Sequence, residues 1–194
     1  MTRAGAMRRE TSATPASDPD LLVRIRDGEL GALGALFDRH EDEVRRVVSR
    51  LGVSEGDVDD LVQATFLAVP RAAERYDGRD NARPWLIGLA VNEIRRHRRS
   101  LSRMATRLKN WALEPMQKVR TPEETSEEAA KIARASRALA ALSEKKREVL
   151  VLITLEGLSG EEVARMLDIP IATVWTRLHH ARKEMSAAVF EEES

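Results

Sequence analysis

Apolar residues recur along this chain at spacings of three and four, and no stretch shows sustained alternation. That pattern predicts helices and no sheet. A first helix runs to about Asp27, with Asp18 as its cap and Pro19 at its first position, and Gly28 ends it. A second extends from about Glu29 to Leu51 through Leu33, Leu36, Phe37, Val44, Val47 and Val48, and Gly52 closes it. Ser54 and Asp57 open a third, whose apolar face holds Val58, Leu61, Val62, Thr65, Phe66 and Val69. Pro70 falls late in this helix; it lacks a donor and crowds the preceding turn, at about 3 kcal/mol in a straight helix, so a kink or an end is expected there. After a loop at Asp77 to Asn81, a fourth helix runs from about Pro84 beyond Arg99, with Trp85, Leu86, Leu89, Ala90 and Ile94 inward. Residues 101–128 contain Pro115, Pro122 and little repeated apolar spacing, and read as a linker; Leu108, Trp111 and Leu113 are candidates for a short docked turn within it. Leu139, Leu142, Val149, Leu150 and Ile153 supply the core of a second domain over about 129–190. Residues 1–18, rich in Thr, Ser, Ala, Arg and Pro, read as a disordered tail. The expected architecture is all-α: two small helical domains, 19–100 and 129–190, joined by a flexible linker.

The second domain carries the most informative segment. Ser159 with Glu162 three residues on forms a capping box that starts one helix. Val163, Ala164 and Leu167 give that helix an apolar face. Asp168 tolerates left-handed turn geometry, and Pro170 cannot continue the first helix but suits the start of the next. In the second helix Ile171, Val174, Leu178, Ala181 and Met185 share one side, while Thr173, Trp175, Thr176, Arg177, His180 and Lys183 point elsewhere. A helix, a tight turn and a second helix with a cationic outer face have the form of a helix-turn-helix aimed at DNA. The bland alternative is a helical hairpin with a solvated cationic face.

Charge sharpens this. The chain has 194 residues with 32 Lys+Arg against 32 Asp+Glu, yet the charges are segregated. Arg79 to Lys109 holds nine cations and two acids, and Asp38 to Asp60 holds eight acids and four arginines. Separate basic and acidic surfaces suit a protein that touches DNA with one and another protein with the other. The basic run Arg95-Arg96-His97-Arg98-Arg99 covers all sides of a helix, so some of it must project; phosphates are its commonest partners, a solvated helix end its plainest alternative. Cysteine is absent, which excludes disulfides, thiol chemistry and Cys-ligated zinc. His40, His97, His179 and His180 have no metal-site spacing, and the acids from Glu55 to Asp60 fit a helix N-terminus better than a metal cluster. No catalytic constellation, phosphate-binding glycine loop, signal-peptide core or membrane-spanning apolar run is present. A non-enzymatic, cofactor-free, cytoplasmic protein without membrane insertion is expected.

Four collinear segments carry a family resemblance. Asp60-Leu61-Val62-Gln63-Ala64-Thr65-Phe66-Leu67 resembles the "DLVQETFL" signature of region 2 in sigma-70-family sigma factors of the extracytoplasmic-function (ECF) group. Arg83 to Asn92 resembles the following "RTWLxxIAxN", Leu142 to Leu150 resembles "LPxxxREVL", and Glu156 to Arg182 resembles "EGLSYEEIAEILGISEGTVKSRLHRAR". The resemblance implies an alternative sigma factor. Region 2 would dock on the β′ clamp helices of core RNA polymerase through Asp60, Gln63 and Phe66. It would open and read the −10 promoter element with Arg79, Asn81, Asn92, Arg95, Arg96, Arg98 and Arg99. Region 4 would place Thr173, Trp175, Thr176, Arg177, His180, Arg182 and Lys183 at the −35 element and contact the β flap. Promoter DNA, core polymerase and an anti-sigma factor are the implied partners. The 28-residue linker spans at most about 90–100 Å, enough for elements on the order of 60 Å apart along DNA.

The chain departs from the pattern at Pro70, where the family usually has Trp, at Pro170-Ile171-Ala172, and at Trp175, where a polar residue is usual. Trp175 could meet a thymine methyl, meet the β flap, or cover the domain edge. Together these changes predict an unusual −35 preference. The rival readings are a stand-alone helix-turn-helix regulator that dimerises through its N-terminal domain, and a purely protein-binding helical module.

Overall fold

The computed structural model describes residues 16–76, 82–108 and 127–191. Among these residues the chain forms helices α1 (Asp18–Arg26), α2 (Leu30–Arg50), α3 (Glu55–Ala73), α4 (Arg83–Leu108), α5 (Glu127–Ala141), α6 (Glu144–Leu150), α7 (Gly160–Leu167) and α8 (Ile171–Glu191), with a π-helical stretch at Val151–Leu155, and no strand. The first four helices pack on one another as a bundle, and α8 packs across α5, α6 and α7 as a second. Leu36, Val47, Val48, Val69, Leu86 and Ile94 fill the first core; Val149, Leu152, Val163, Val174 and Ala181 fill the second. The Asp77–Asn81 loop and residues Trp111 and Leu113 lie outside the described residues.

Local chemistry sets most boundaries. Ser17, not Asp18, caps α1, in a capping box with Asp20. Asp18 is freed to bind across the bundle, where its carboxylate accepts from Arg39 and lies 2.8 Å from His40 Nε2. Gly52 closes α2 with φ 77°, a left-handed value that suits glycine. Pro70 does not stop α3, which continues to Ala73. The proline sits one turn from the helix end, so little of the hydrogen-bond ladder is lost. Buried Val69 and Ala73 hold that turn against the core. α4 also outruns expectation and stays helical through Leu108, so residues 101–108 belong to the helix.

The helix-turn-helix follows its sequence signals closely. The Ser159 hydroxyl accepts from Glu162 N at 3.2 Å, and the Glu162 carboxylate accepts from Ser159 N at 2.8 Å. Asp168 ends α7 at φ 53°. Pro170 stands just before α8, and its carbonyl accepts from Thr173 N and Val174 N at 2.9 and 3.2 Å. Val174, Leu178 and Ala181 are buried and Met185 packs on them, but Ile171, grouped with them by spacing, is exposed. It lies at the first turn of α8. Among the described residues no helix is long and apolar enough to cross a membrane.

The left-handed residue gives a direct test. A β-branched side chain there should cost about 1–2 kcal/mol, whereas glycine adopts the conformation freely. Asp168→Val should lower the urea-unfolding free energy by that amount and Asp168→Gly should leave it within about 1 kcal/mol of wild type.

Candidate nucleic-acid and polymerase interfaces

The basic helix α4 divides its cations by direction, as consecutive residues about 100° apart must. Arg96 and Arg99 are exposed, with Arg96 3.5 Å from Glu93 one turn back. Asn92 is exposed on the same side. These three line a groove between α3 and α4 whose floor includes Leu67 and Ala68 and whose other rim is Arg71 and Arg75. His97 turns to the start of α3, 3.4 Å from Asp57. The Ser54 hydroxyl donates to Asp57, and this bond, with the nearby imidazole, holds the Asp57 carboxyl below its ordinary value. Arg79 and Asn81 lie outside the described residues.

Arg95 and Arg98 point away from that groove, into the second domain. Arg95 donates to the Glu148 carboxylate at 2.7 and 3.2 Å and to the Leu167 carbonyl at 3.2 Å. Arg98 donates to the Leu51 carbonyl at 2.5 Å and lies 3.7 Å from Glu148. A second cluster joins Glu156 to Arg50 at 2.7 Å and to Arg83 at 3.0 Å, while the Glu156 backbone carbonyl accepts from Arg83 at 2.8 Å. Arg147 completes the contact: it donates to the carbonyls of Leu139, Ala140 and Leu142 at the end of α5, and at 3.4 Å to Leu51 of the other domain. Burial lowers its affinity for a proton below the ordinary guanidinium value, and the like charge of Arg98 acts in the same direction. Sequence spacing could not show this interface, because no local pattern marks which domain a cation will face.

On α3, Asp60 and Gln63 are exposed together with Leu67, which is 68% exposed. Phe66 does not share this face. It is 4% exposed and meets Phe37 edge-on, ring centres 4.8 Å apart. As a core residue it can hold α3 in place but cannot touch a partner in this arrangement. Its neighbour Leu67 is the large apolar side chain that can. Helical phase alone predicts this, since 58, 62, 65, 66 and 69 share the buried stripe and 60, 63 and 67 the opposite one.

On α8, Thr176, His180, Arg182 and Lys183 are exposed, while Thr173 and Arg177 are half-buried at the flank. His179, absent from the predicted set, is exposed between Thr176 and Lys183, on the outermost line of the helix. Residues 172, 176, 179 and 183, three or four apart, share one face; that periodicity was the signal available for His179. Trp175 is 49% exposed, and the rest of its indole lies on Gly160 at the start of α7. A Cβ on Gly160 would come within 2.6 Å of Trp175 Cζ2. The small residue is thus the seat of the large one.

The fold and these surfaces define a class: a two-domain helical DNA-binding factor with a cationic helix in each half. The chain matches the families Sigma-70 region 2 over residues 36–104 and Sigma-70 region 4 over residues 132–185. It is 31% identical over 183 residues to the ECF RNA polymerase sigma-E factor of Escherichia coli K12, covering 89% of this chain and 94% of that protein. It is 30% identical over 176 residues to the RNA polymerase sigma factor NccH of Alcaligenes xylosoxydans xylosoxydans, covering 89% of this chain and 95% of the relative. Among solved structures it is similar to CnrH in complex with the cytosolic domain of CnrY, with TM-score 0.63, 29% identity, and coverage of 92% of this chain and all of that one. The sigma factor RpoE of Bartonella quintana, solved with the anti-sigma factor NepR, shares the fold at TM-score 0.64 and 21% identity, over 79% of this chain and 93% of that one. The chain belongs to the sigma-70 family of RNA polymerase sigma factors, in the ECF group, and is an alternative sigma factor.

The indole seat predicts coupling. Gly160→Ala should destabilise the protein by about 1–3 kcal/mol through overpacking. In a Trp175→Ala background the same change should cost far less. A double-mutant cycle by urea denaturation reads the difference, and additive effects would show that the two residues do not bear on each other.

Proposed function

We propose that the two domains divide promoter recognition between them. Region 2, within residues 19–108, docks on the β′ clamp helices of core RNA polymerase through the exposed face of α3, with Asp60, Gln63 and Leu67 as contacts. Its α4 meets the −10 element with Asn92, Arg96 and Arg99, joined by Arg95 and Arg98 when these are free and by Arg79 and Asn81 from the preceding loop. Region 4 lays α8 in the major groove at the −35 element and reaches the β flap. Thr176 and His179 face bases there, Lys183 and Arg182 hold phosphate, and Thr173, Arg177 and His180 flank the contact. Trp175, seated on Gly160, presents a rigid aromatic edge that suits a thymine methyl. The protein initiates transcription without catalysing a reaction itself, and acts in the cytoplasm, where polymerase is. An anti-sigma factor is an expected partner, since CnrH and the Bartonella quintana factor were each solved with a protein bound.

The observation that carries this reading is that each domain offers its own cationic helix, with the outward face of α8 uncovered by the first domain. A stand-alone regulator would need no exposed α3 face of the Asp60, Gln63 and Leu67 kind. Geometry adds one constraint. Residues 109–126, between α4 and α5, reach at most about 60–65 Å. This is close to the ~60 Å between the two elements along DNA, so simultaneous contact requires near-full extension or unwinding of the last turns of α4.

Run-off transcription with purified core polymerase over a genomic promoter library tests the reading; absence of both core binding and initiation sinks it. Gln63→Ala with Leu67→Asp should weaken co-elution with core polymerase by about tenfold or more. Lys183→Ala should weaken −35 DNA binding alike on all sequences and reduce its salt slope by about one, whereas Thr176→Ala should alter sequence preference.

A further inference from the structure

The leading turn of α8 is apolar and exposed. Ile171 is 39% and Trp175 49% exposed, and Ala172 beside them is exposed too. Large apolar side chains left together in water mark a contact surface. The turn is also poor in hydrogen-bond donors. Pro170, exposed just before it, has no N–H, and the Thr176 hydroxyl donates to the Ala172 carbonyl at 2.9 Å, so its proton is used within the helix. Among the exposed side chains of this turn the remaining donor is the indole N–H of Trp175. It adjoins Cε2, which is seated on Gly160, where a Cβ would lie 3.1 Å away. The seat fixes the ring before any partner arrives, which lowers the cost of a contact. Further along, residues three and four apart stack into continuous lines. Ile171 and Trp175 lead to His179 and Arg182, and Ala172 and Thr176 to His179 and Lys183, all exposed. An apolar tip runs into a cationic shaft on one side of one helix.

We propose that this turn reads the 5-methyl group of a pyrimidine in the major groove. The −35 element then holds a thymine where Ile171, Ala172 and Trp175 meet it, and 5-methylcytosine is accepted there while cytosine is disfavoured. This rests on the placing of α8 at the −35 element. The N-terminal residues of a recognition helix are the ones that reach base edges. At those edges guanine shows two acceptors, adenine an acceptor and a donor, cytosine a donor, and thymine a methyl group beside its acceptor. An apolar turn cannot pair polar edges, and covering them strips their water without return. Against thymine the same turn buries a methyl group, so attraction to the right base and a penalty on the wrong ones act together. The cations on the same side of α8 decide the class of partner: phosphates complement Arg182 and Lys183, which an apolar protein surface would leave uncompensated.

The probe is a duplex selected by the holoenzyme, this chain with core RNA polymerase, from DNA randomised over the −35 region. Each thymine is then replaced singly by deoxyuridine, which removes only the methyl group. Replacement at one position, or at two adjacent ones, should weaken binding about fourfold, the worth of one buried methyl group, and the other thymines should be silent. At that position a cytosine should bind worse than thymine, and 5-methylcytosine should recover about fourfold of the loss. In the Trp175→Ala and Ile171→Ala holoenzymes the uracil effect should largely vanish, and Trp175→Lys should shift selection at that position towards guanine. Circular dichroism and a cooperative melt establish that the variants fold. Where the Trp175 variants fail that check, Ile171→Ala, which trims one exposed side chain at a helix start, carries the test. No uracil effect at any thymine, or one unchanged in the folded variants, overturns the proposal. So does loss of core-polymerase binding in variants that keep the uracil effect, which makes the face a protein contact. Failure of the underlying placement looks different: no −35 sequence is enriched in the selection, and Arg182→Ala and Lys183→Ala leave promoter affinity and its salt slope unchanged.

Discussion

Two carboxylates that have lost their water decide how the halves of this protein sit together. Glu148 and Glu156 belong to the second domain by covalent order and to the first by electrostatics. A buried carboxylate without a cation is costly, by several kcal/mol per ion even after relaxation. These two charges are compensated where arginines of α2 and α4 reach across. Beside that pairing Arg147 reaches the end of α2, and Gly52 leaves room for its guanidinium.

Such an interface differs from the cores on either side of it. The cores hold aliphatic side chains at near-zero exposure and depend on no particular partner beyond shape. The interface is built from guanidinium, carboxylate and carbonyl groups that water or phosphate can replace. Met166 lies over Gly88, beside a cleft of about 440 Å³ lined by both domains. Ion pairs of this kind lose water when they form and recover it when they part, so they hold the domains less firmly than buried aliphatic contact would.

Much of the molecule is legible from neighbouring residues. The capping box of Ser159 and Glu162, the left-handed Asp168 and the apolar stripe of α8 are local, and they form as their spacing predicts. The same holds for Gly52 at the end of α2. Errors arose where a residue's role depended on phase or on a distant partner. Phe66 shares a sequence segment with the exposed Asp60 and Gln63, yet it sits on the buried stripe, and Leu67 takes the outer position. Pro70 raised the expectation of a kink or an end because a proline's own cost is local, while the buried turn that carries α3 on to Ala73 is not. Trp175 had several readings until Gly160 was found beneath it, fifteen positions earlier in the chain.

The sequence by itself determined the helices, their caps, the order of two domains and the family to which they belong, because hydrogen bonding within a helix and its apolar period act over a few residues. Only the tertiary structure decided which way each arginine of α4 faces. Residues 95 to 99 are nearly uniform in charge, so their sequence carries no preference among directions; the helix presents one to every side. It is the surroundings that divide them: solvent at Arg96 and Arg99, the start of α3 at His97, and the buried carboxylate of Glu148 at Arg95 and Arg98.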